Sequence, residues 1–274
     1  MIFLHHYPMS PFSEKMRLMF GYCGLTWQSV ISPESPPRPI VDPLTGGYRR
    51  IPVAQVGADV FCDTRLISVE VSRLAGKAEH DPSNADALNQ RLAGRCEGEV
   101  FMAAVSSIPP RRMLGRLFGE LSVTQAVRFL GDRMRIARHM QSRPVSAKKA
   151  GPLLQDHLHK LESMLAGGQP YLAGDSPAHL DFAAYHPLWF RQQVGGLPIP
   201  PDFSRTNAWY QRLTAFGHGK VQVATGKDAH SVARGIEPRP IPAASVEGDG
   251  VGQRVVVKPD DYALNGTSGV LVGV

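Results

Sequence analysis

A chain of 274 residues, 43% of them apolar, is long enough for two domains with sizeable cores. Its three cysteines, Cys23, Cys62 and Cys96, are odd in number and lack ligand spacing, which excludes a disulfide framework and a zinc site. The net charge of +6, from 30 basic against 24 acidic residues, suits anionic ligands, and no basic motif interleaved with aromatics points to nucleic acid.

No stretch reaches about 18 consecutive apolar residues, and the N-terminus lacks a basic region followed by a long apolar run. The expectation is a soluble, cytoplasmic protein with neither a membrane nor nucleic acid among its partners. The ten histidines form no ligand set, so no metal is expected. His157 and His159, two apart on a helix, face different ways.

Residues 2–6 (IFLHH) read as a short apolar strand in which alternation turns at least one of His5 and His6 inward. Pro8 and Pro11 punctuate a turn. From Phe12 the spacing becomes helical, with Phe12, Met16, Met19, Phe20 and Cys23 at i, i+4, i+7, i+8 and i+11. Ser10 therefore sits just before a helix whose first-turn N–H groups and dipole favour an anion. As a plain N-cap it contributes about 1 kcal/mol. The turn carries Ser10-Pro11-Phe12-Ser13, an S-x-x-S where a redox protein of this layout carries C-x-x-C. A hydroxyl is no redox thiol, so any thiol chemistry here needs a sulfur that arrives with a ligand.

The stretch SPFSEKMRL resembles the start of the omega-like, bacterial and zeta-like branches of the glutathione S-transferase family, with serine where omega enzymes carry cysteine. That resemblance implies glutathione as co-substrate, its thiolate held at the helix N-terminus by the Ser10 hydroxyl. Tyr7 is a rival donor, since some branches use a tyrosine near the end of the first strand.

Strands follow at 26–31 (TWQSVI), 53–56 (VAQV) and 59–62 (DVFC), then a helix at 64–75 with Ile67, Val71 and Leu74 on one stripe. The proline-rich SPESPPRPIVDP between the second and third strands holds no regular helix. A parallel βαβ, an antiparallel hairpin and a helix give the thioredoxin-like α/β layout for residues 1–77. Within it the resemblance implies that the Ile51–Pro52 bond is cis and that Ile51 exchanges backbone hydrogen bonds with the cysteinyl unit. It implies that Asp63 meets the γ-glutamyl ammonium and Thr64 the γ-glutamyl carboxylate, in the context DTRLISVEV. Phe12 joins this glutathione-binding set, and Arg49 and Arg50 are offered to the glycyl carboxylate. Singly, Pro52 reads as a strand-start proline, and Asp63 or Thr64 as a helix cap.

After a polar linker at 78–84 the texture is helical, with runs at about 84–107, 121–142, 153–166, 178–190 and 205–216. Residues 85–220 are expected to form the all-α second domain of a glutathione S-transferase fold. In YLAGDSPAHLDFAAY the family's capping box is broken: Asp181 is present, but Ala178 stands three residues before it, so Asp175 or Ser176 is the alternative cap. Pro109-Pro110 breaks a helix, and Arg111, Arg112 and Arg116 follow, either a solvated face or a lure for acidic substrates. Cys23 reads as core, and Cys62 abuts Asp63.

Residues 221–274 lie outside the resemblance: a short helix at 227–235, a proline- and glycine-rich linker at 236–252, and a β-hairpin with turn signals at Asp260-Asp261 and Asn265-Gly266. The resulting expectation is a homodimeric glutathione transferase that conjugates glutathione to, or reduces with it, a small electrophile. The alternatives are a non-catalytic binding or regulatory protein of the same fold and a glutathione-dependent isomerase. The isomerase branch usually surrounds its serine with further serines or a cysteine, whereas Pro11 and Phe12 follow here.

Overall fold

The computed structural model of the chain describes residues 1–138, 145–259 and 265–274. Strand β1 (Ile2–His6) is buried at all five positions, as a continuous apolar run covered on both faces should be. Ser10 then caps α1 (Pro11–Tyr22), with proline at its first position. Strand β2 (Thr26–Ile31) lies parallel to β1. A four-residue helix α2 (Asp42–Thr45) interrupts the long connection to β3 (Val53–Val56), which runs antiparallel to β1. Strand β4 (Asp59–Cys62) returns along β3, and α3 (Thr64–Ala75) closes the layout. Ile67 and Val71 are fully buried on α3, while Leu74 lies on its exposed rim.

The two faces of β1 separate cleanly. Ile2 and Leu4 pack with Met16, Met19 and Phe20 of α1 and with Ile67 and Val71 of α3. Phe3 points the other way and packs with Val30 and Ala229. The second face is thus covered from the far end of the chain.

The helical half begins with α4 (Ala87–Arg95), which continues through one π turn at 96–100 into α5 (Phe101–Ser107). Beyond the Pro109-Pro110 break a further helix, α6 (Pro110–Glu120), begins at once, because a first-turn proline lacks only an N–H that would be unpaired anyway. Then come α7 (Val123–Arg138), α8 (Ala147–Met164), α9 (His179–Gln193) and α10 (Ser204–Thr214). Residues 139–142 of the expected 121–142 helix, like the Asp260-Asp261 turn, lie outside the described residues.

Helix α9 is buried from His179 to Leu188 and lies against α1. Asp181 accepts from Leu172 N (2.8 Å), Ala178 N (2.9 Å) and Trp209 Nε1 (2.8 Å), a folding role as expected. The expected alternative cap is not there: Ala178 itself is the N-cap and has no side-chain oxygen, so only the Asp181 half of the capping box forms. The other bonds of Asp181 fix the helix start at Ala178, out of register with Asp175 and Ser176.

Between the halves lies a buried charge cluster. Lys15 of α1 is fully buried, and its Nζ meets Glu97 of the π turn at 2.5 Å. Arg65 Nε donates to the same carboxylate at 3.3 Å, and His179 Nε2 lies 3.5 Å away. Burial alone would raise the Glu97 carboxyl, but Lys15 and His179 hold it well below the usual range.

After α10 the chain returns to the first domain. Strand β5 (Lys220–Val223) adds in parallel to β2, giving the order β4-β3-β1-β2-β5. The return is close: a Cβ on Gly21 would stand 2.0 Å from Gly217 O, so α1 needs glycine there. Helix α11 (Gly226–Gly235) then covers the Phe3 face. Strands β6 (Arg254–Val257) and β7 (Thr267–Val270) form the expected antiparallel hairpin. Among the described residues no helix is long and apolar enough to cross a membrane.

Burial pushes the imidazoles of His5, His80, His157 and His179 down to about 4, and those of His6 and His186 down to about 3. In the unfolded chain a histidine titrates near about 6.5, so unfolding takes up protons between those values. Stability is therefore fully present above the unfolded value and lost as pH falls through it. Asp181, raised by burial to about 6, works in the opposite direction, but it is one group against six. The melting temperature should fall steeply from about pH 6.5 to about pH 4. A melting temperature that stays constant over that range in scanning calorimetry contradicts the neutral buried histidines.

Candidate active site

Sheet register assembles the site. His5 pairs with Val53, and Val53 with Cys62. The residues just beyond these positions therefore emerge together at one edge of the sheet. They are the Tyr7–Ser10 turn, the Ile51–Pro52 bond and the Asp63–Thr64 pair.

Ser10 is almost fully buried and ends an extended residue before α1. Its N–H donates to Tyr7 O at 3.2 Å, and its Oγ accepts from Ser13 N at 3.2 Å. Capping uses one lone pair of the hydroxyl and leaves its proton available to donate. The cap and an anion donor are thus compatible roles for one side chain.

The turn is held from behind by Arg17, a residue the sequence reading passed over. Arg17 Nη2 donates to Pro8 O at 2.9 Å and Nη1 to Tyr7 O at 3.4 Å. Its Nε and Nη2 reach Glu14 Oε2 at 2.9 and 2.7 Å. Nη1 also donates to His6 Nδ1 at 3.0 Å. A guanidinium only donates, so His6 carries its proton on Nε2 and donates it to Ser29 Oγ at 2.8 Å. His218, beyond α10, completes the cluster at 3.1 Å from Glu14 Oε1. Burial would raise the Glu14 carboxyl, but His218 and Arg17 hold it below its usual range. No sequence signal marks this set, since charges at positions 14 and 17 of a helix read as a solvated face.

The Ile51–Pro52 bond is cis. Asp63 has φ 87° and ψ 137°, a conformation that costs a non-glycine residue about 1–3 kcal/mol and concentrates at functional positions. Its Oδ1 accepts from Arg65 N at 2.7 Å, so it also caps α3. Thr64 is buried beside it. Arg49 is drawn away from a ligand role, because it pairs with Asp132 of α7. Arg50 is half-buried next to the cis bond.

Phe12 turns its ring to the helical domain, 5.0 Å from Phe101 and 4.7 Å from His186 between centroids. Phe101 continues this aromatic wall to Phe190 at 5.8 Å. Burial pushes the Cys62 thiol up to about 12 and that of Cys23 up to about 11, so neither is a resident thiolate. A crevice of about 590 Å³ between the 82–85 linker, α4 and the start of α9 includes Arg65 but not Ser10. Among the described residues no group of His, Cys, Asp and Glu could hold a metal ion.

Residues 4–78 match the model of the glutathione S-transferase N-terminal domain. A solved glutathione S-transferase-like protein from Pseudomonas syringae is similar at 28% identity and TM-score 0.73, over 100% of this chain and 89% of that one. A glutathione S-transferase from Rhodospirillum rubrum is similar at 17% identity and TM-score 0.52, over 78% of this chain and 88% of that one. A tau-class enzyme from mango is similar at 12% identity and TM-score 0.54, over 85% and 96%. The last two likenesses concern the fold alone. No curated protein sequence matches.

Replacing Arg17 by Met strands the buried Glu14 carboxylate and frees two carbonyls of the turn. Removing one partner of a buried ion pair costs about 3–5 kcal/mol. Urea unfolding of Arg17→Met should show a loss of that size, with part of it regained in Arg17→Met/Glu14→Gln. A loss under about 1 kcal/mol contradicts the buttress.

Proposed function

We propose that the chain is a member of the glutathione S-transferase family that binds glutathione across the edge formed by Ser10, Ile51 and Asp63 and joins it to a small electrophile. The observation that carries the reading is the register His5–Val53–Cys62, which brings the three motifs to one sheet edge. The tripeptide's thiolate lies against the first-turn amides of α1 and the Ser10 hydroxyl proton. Its γ-glutamyl end meets Asp63, Thr64 and the start of α3. Ile51 pairs with the cysteinyl backbone, Phe12 borders the ligand, and Arg50 faces the glycyl carboxylate. Tyr7 remains a second candidate donor to the sulfur.

The chemistry follows from charge. Amides, helix dipole and hydroxyl favour the thiolate over the thiol, so the proton leaves to solvent. The thiolate then forms a carbon–sulfur bond with the electrophile as the leaving group departs with its electron pair. The aromatic wall of Phe12, Phe101 and Phe190 suits an apolar electrophile. A cytoplasmic homodimer, with residues 1–77 binding glutathione and 85–220 facing the electrophile, is the accompanying assembly. A non-catalytic binder is the second reading, favoured by the engagement of Arg49 with Asp132.

Calorimetric titration with glutathione, followed by turnover of 1-chloro-2,4-dinitrobenzene, tests the reading. A charge-assisted hydrogen bond contributes about 1.5–3 kcal/mol, so Ser10→Ala should lower kcat/KM roughly 10- to 100-fold. Asp63→Asn should weaken glutathione binding and leave kcat at saturation nearly unchanged. No heat of binding with glutathione sinks the reading, and binding without turnover selects the non-catalytic alternative.

A further inference from the structure

The connection from β2 to β3 carries Arg49, Arg50 and Ile51, and it has little structure of its own. Residues 32–52 hold one helix, the four-residue α2. Loops this long without regular structure do not keep one shape unless other elements hold them. Part of the support is internal. Arg38, buried, donates to Pro33 O at 2.8 Å, to Glu34 O at 3.0 Å and to Arg49 O, and its N–H donates to Asp42 at 3.0 Å.

The rest comes from the C-terminal segment and α7. His230 of α11 donates from Nε2 to Ile40 O at 2.6 Å. Gly226, at the start of α11, seats directly on the Ile40 side chain. A Cβ there would stand 2.3 Å from Ile40 Cγ2 and 2.6 Å from Cγ1 and Cδ1. Thr267 of β7 lies against Gly46, where an added Cβ would meet its Cγ2 at 2.9 Å. Helix α7 holds the two ends of the loop, through Arg133 to Glu34 O at 3.3 Å and through Asp132 to Arg49. Helix α11 is itself fixed, since Ala229 is fully buried against the sheet and Gln55 Nε2 donates to Ala229 O at 2.8 Å.

We propose that α11 is the positioning element of the glutathione site, with Gly226 and His230 setting Ile40 and, through the turn that Arg38 closes with Val41 and Asp42 and ties to Arg49 O, the placement of Arg50 and Ile51. Neither residue touches the ligand. The inference rests on the proposed glutathione reading for its functional half, and on the contacts alone for its structural half. Such a device acts on the glycyl carboxylate and cysteinyl backbone contacts of the tripeptide and not on the donors to its sulfur. It should govern glutathione affinity and leave the electrophile side and the thiolate chemistry alone.

The test uses the full chain and three variants: Gly226→Ala, Gly226→Ala/Ile40→Ala and His230→Ala. The added methyl in the first has no room beside Ile40, and the second removes the atoms it strikes. Gly226→Ala should raise the Kd and KM for glutathione about tenfold. Its kcat at saturating glutathione and its KM for 1-chloro-2,4-dinitrobenzene should stay within about twofold. Amide exchange should quicken in residues 38–50 and stay unchanged in the helical domain. The double variant should return all of these toward wild type, a rescue that general destabilisation does not give. His230→Ala should show the same pattern and decides the matter if Gly226→Ala does not fold. Unchanged exchange in 38–50, or a fall in kcat with unaltered glutathione affinity, overturns the proposal. If wild type gives no heat with glutathione, the functional reading fails separately, and the exchange data still decide whether α11 holds the loop.

Discussion

Strand β1 has no solvent side, and that constraint organises the molecule. Its Ile2 and Leu4 face is covered by neighbours in sequence, α1 and α3. Its Phe3 face has no such neighbour, because the connection after β2 forms only the short α2. Apolar surface left in water costs about 25 cal/mol per Å², so a large exposed sheet face is not a stable outcome. The cover comes from α11, more than two hundred residues along the chain. The strand's end also delivers the Ser10 turn, so one element sets both the core and the candidate site.

The two halves are joined by charge as well as by packing. Lys15 is fully buried and pairs with Glu97, and Arg65 reaches the same carboxylate from the exposed side. Buried ion pairs add little net stability over apolar residues of the same shape, yet breaking one leaves an uncompensated charge. The cluster therefore discriminates between arrangements of the halves more than it stabilises any one. Glu97 reaches Lys15 from a π turn, a local under-winding of the helix that is frequent at functional positions. The Arg17 cluster has the same character on the other side of α1, pinning the carbonyls of the turn while drawing in His218 from beyond the helical half.

Local pattern made much of this legible. The period change at Phe12, the short strand runs at Val53–Val56 and Asp59–Cys62, and the Ile67–Val71 stripe gave elements that lie where expected. Ser10, Ile51–Pro52 and Asp63 read singly as caps and a strand-start proline, and only the family resemblance marked them as a set. What was hidden depends on partners far away in the chain. Lys15 and Glu97 are 82 residues apart, and His218 and Glu14 are 204 apart. A lysine on a helix carries no mark of burial. Strand β5 was invisible for a different reason: its four residues are exposed, and backbone pairing with β2 alone makes it a strand. Helix α6 was hidden by the double proline, which ends one helix and starts the next.

The distant cover of the Phe3 face has a consequence for synthesis. Chains leave the ribosome from the N-terminus, and domains tend to fold as they emerge. Here the first domain emerges early but lacks its edge strand and half its roof until Lys220–Gly235 have been made. Until then Phe3 and Val30 remain open to water, on a sheet with an unpaired β2 edge. A nascent chain from which Lys220–Gly235 has not yet emerged therefore displays a half-roofed domain.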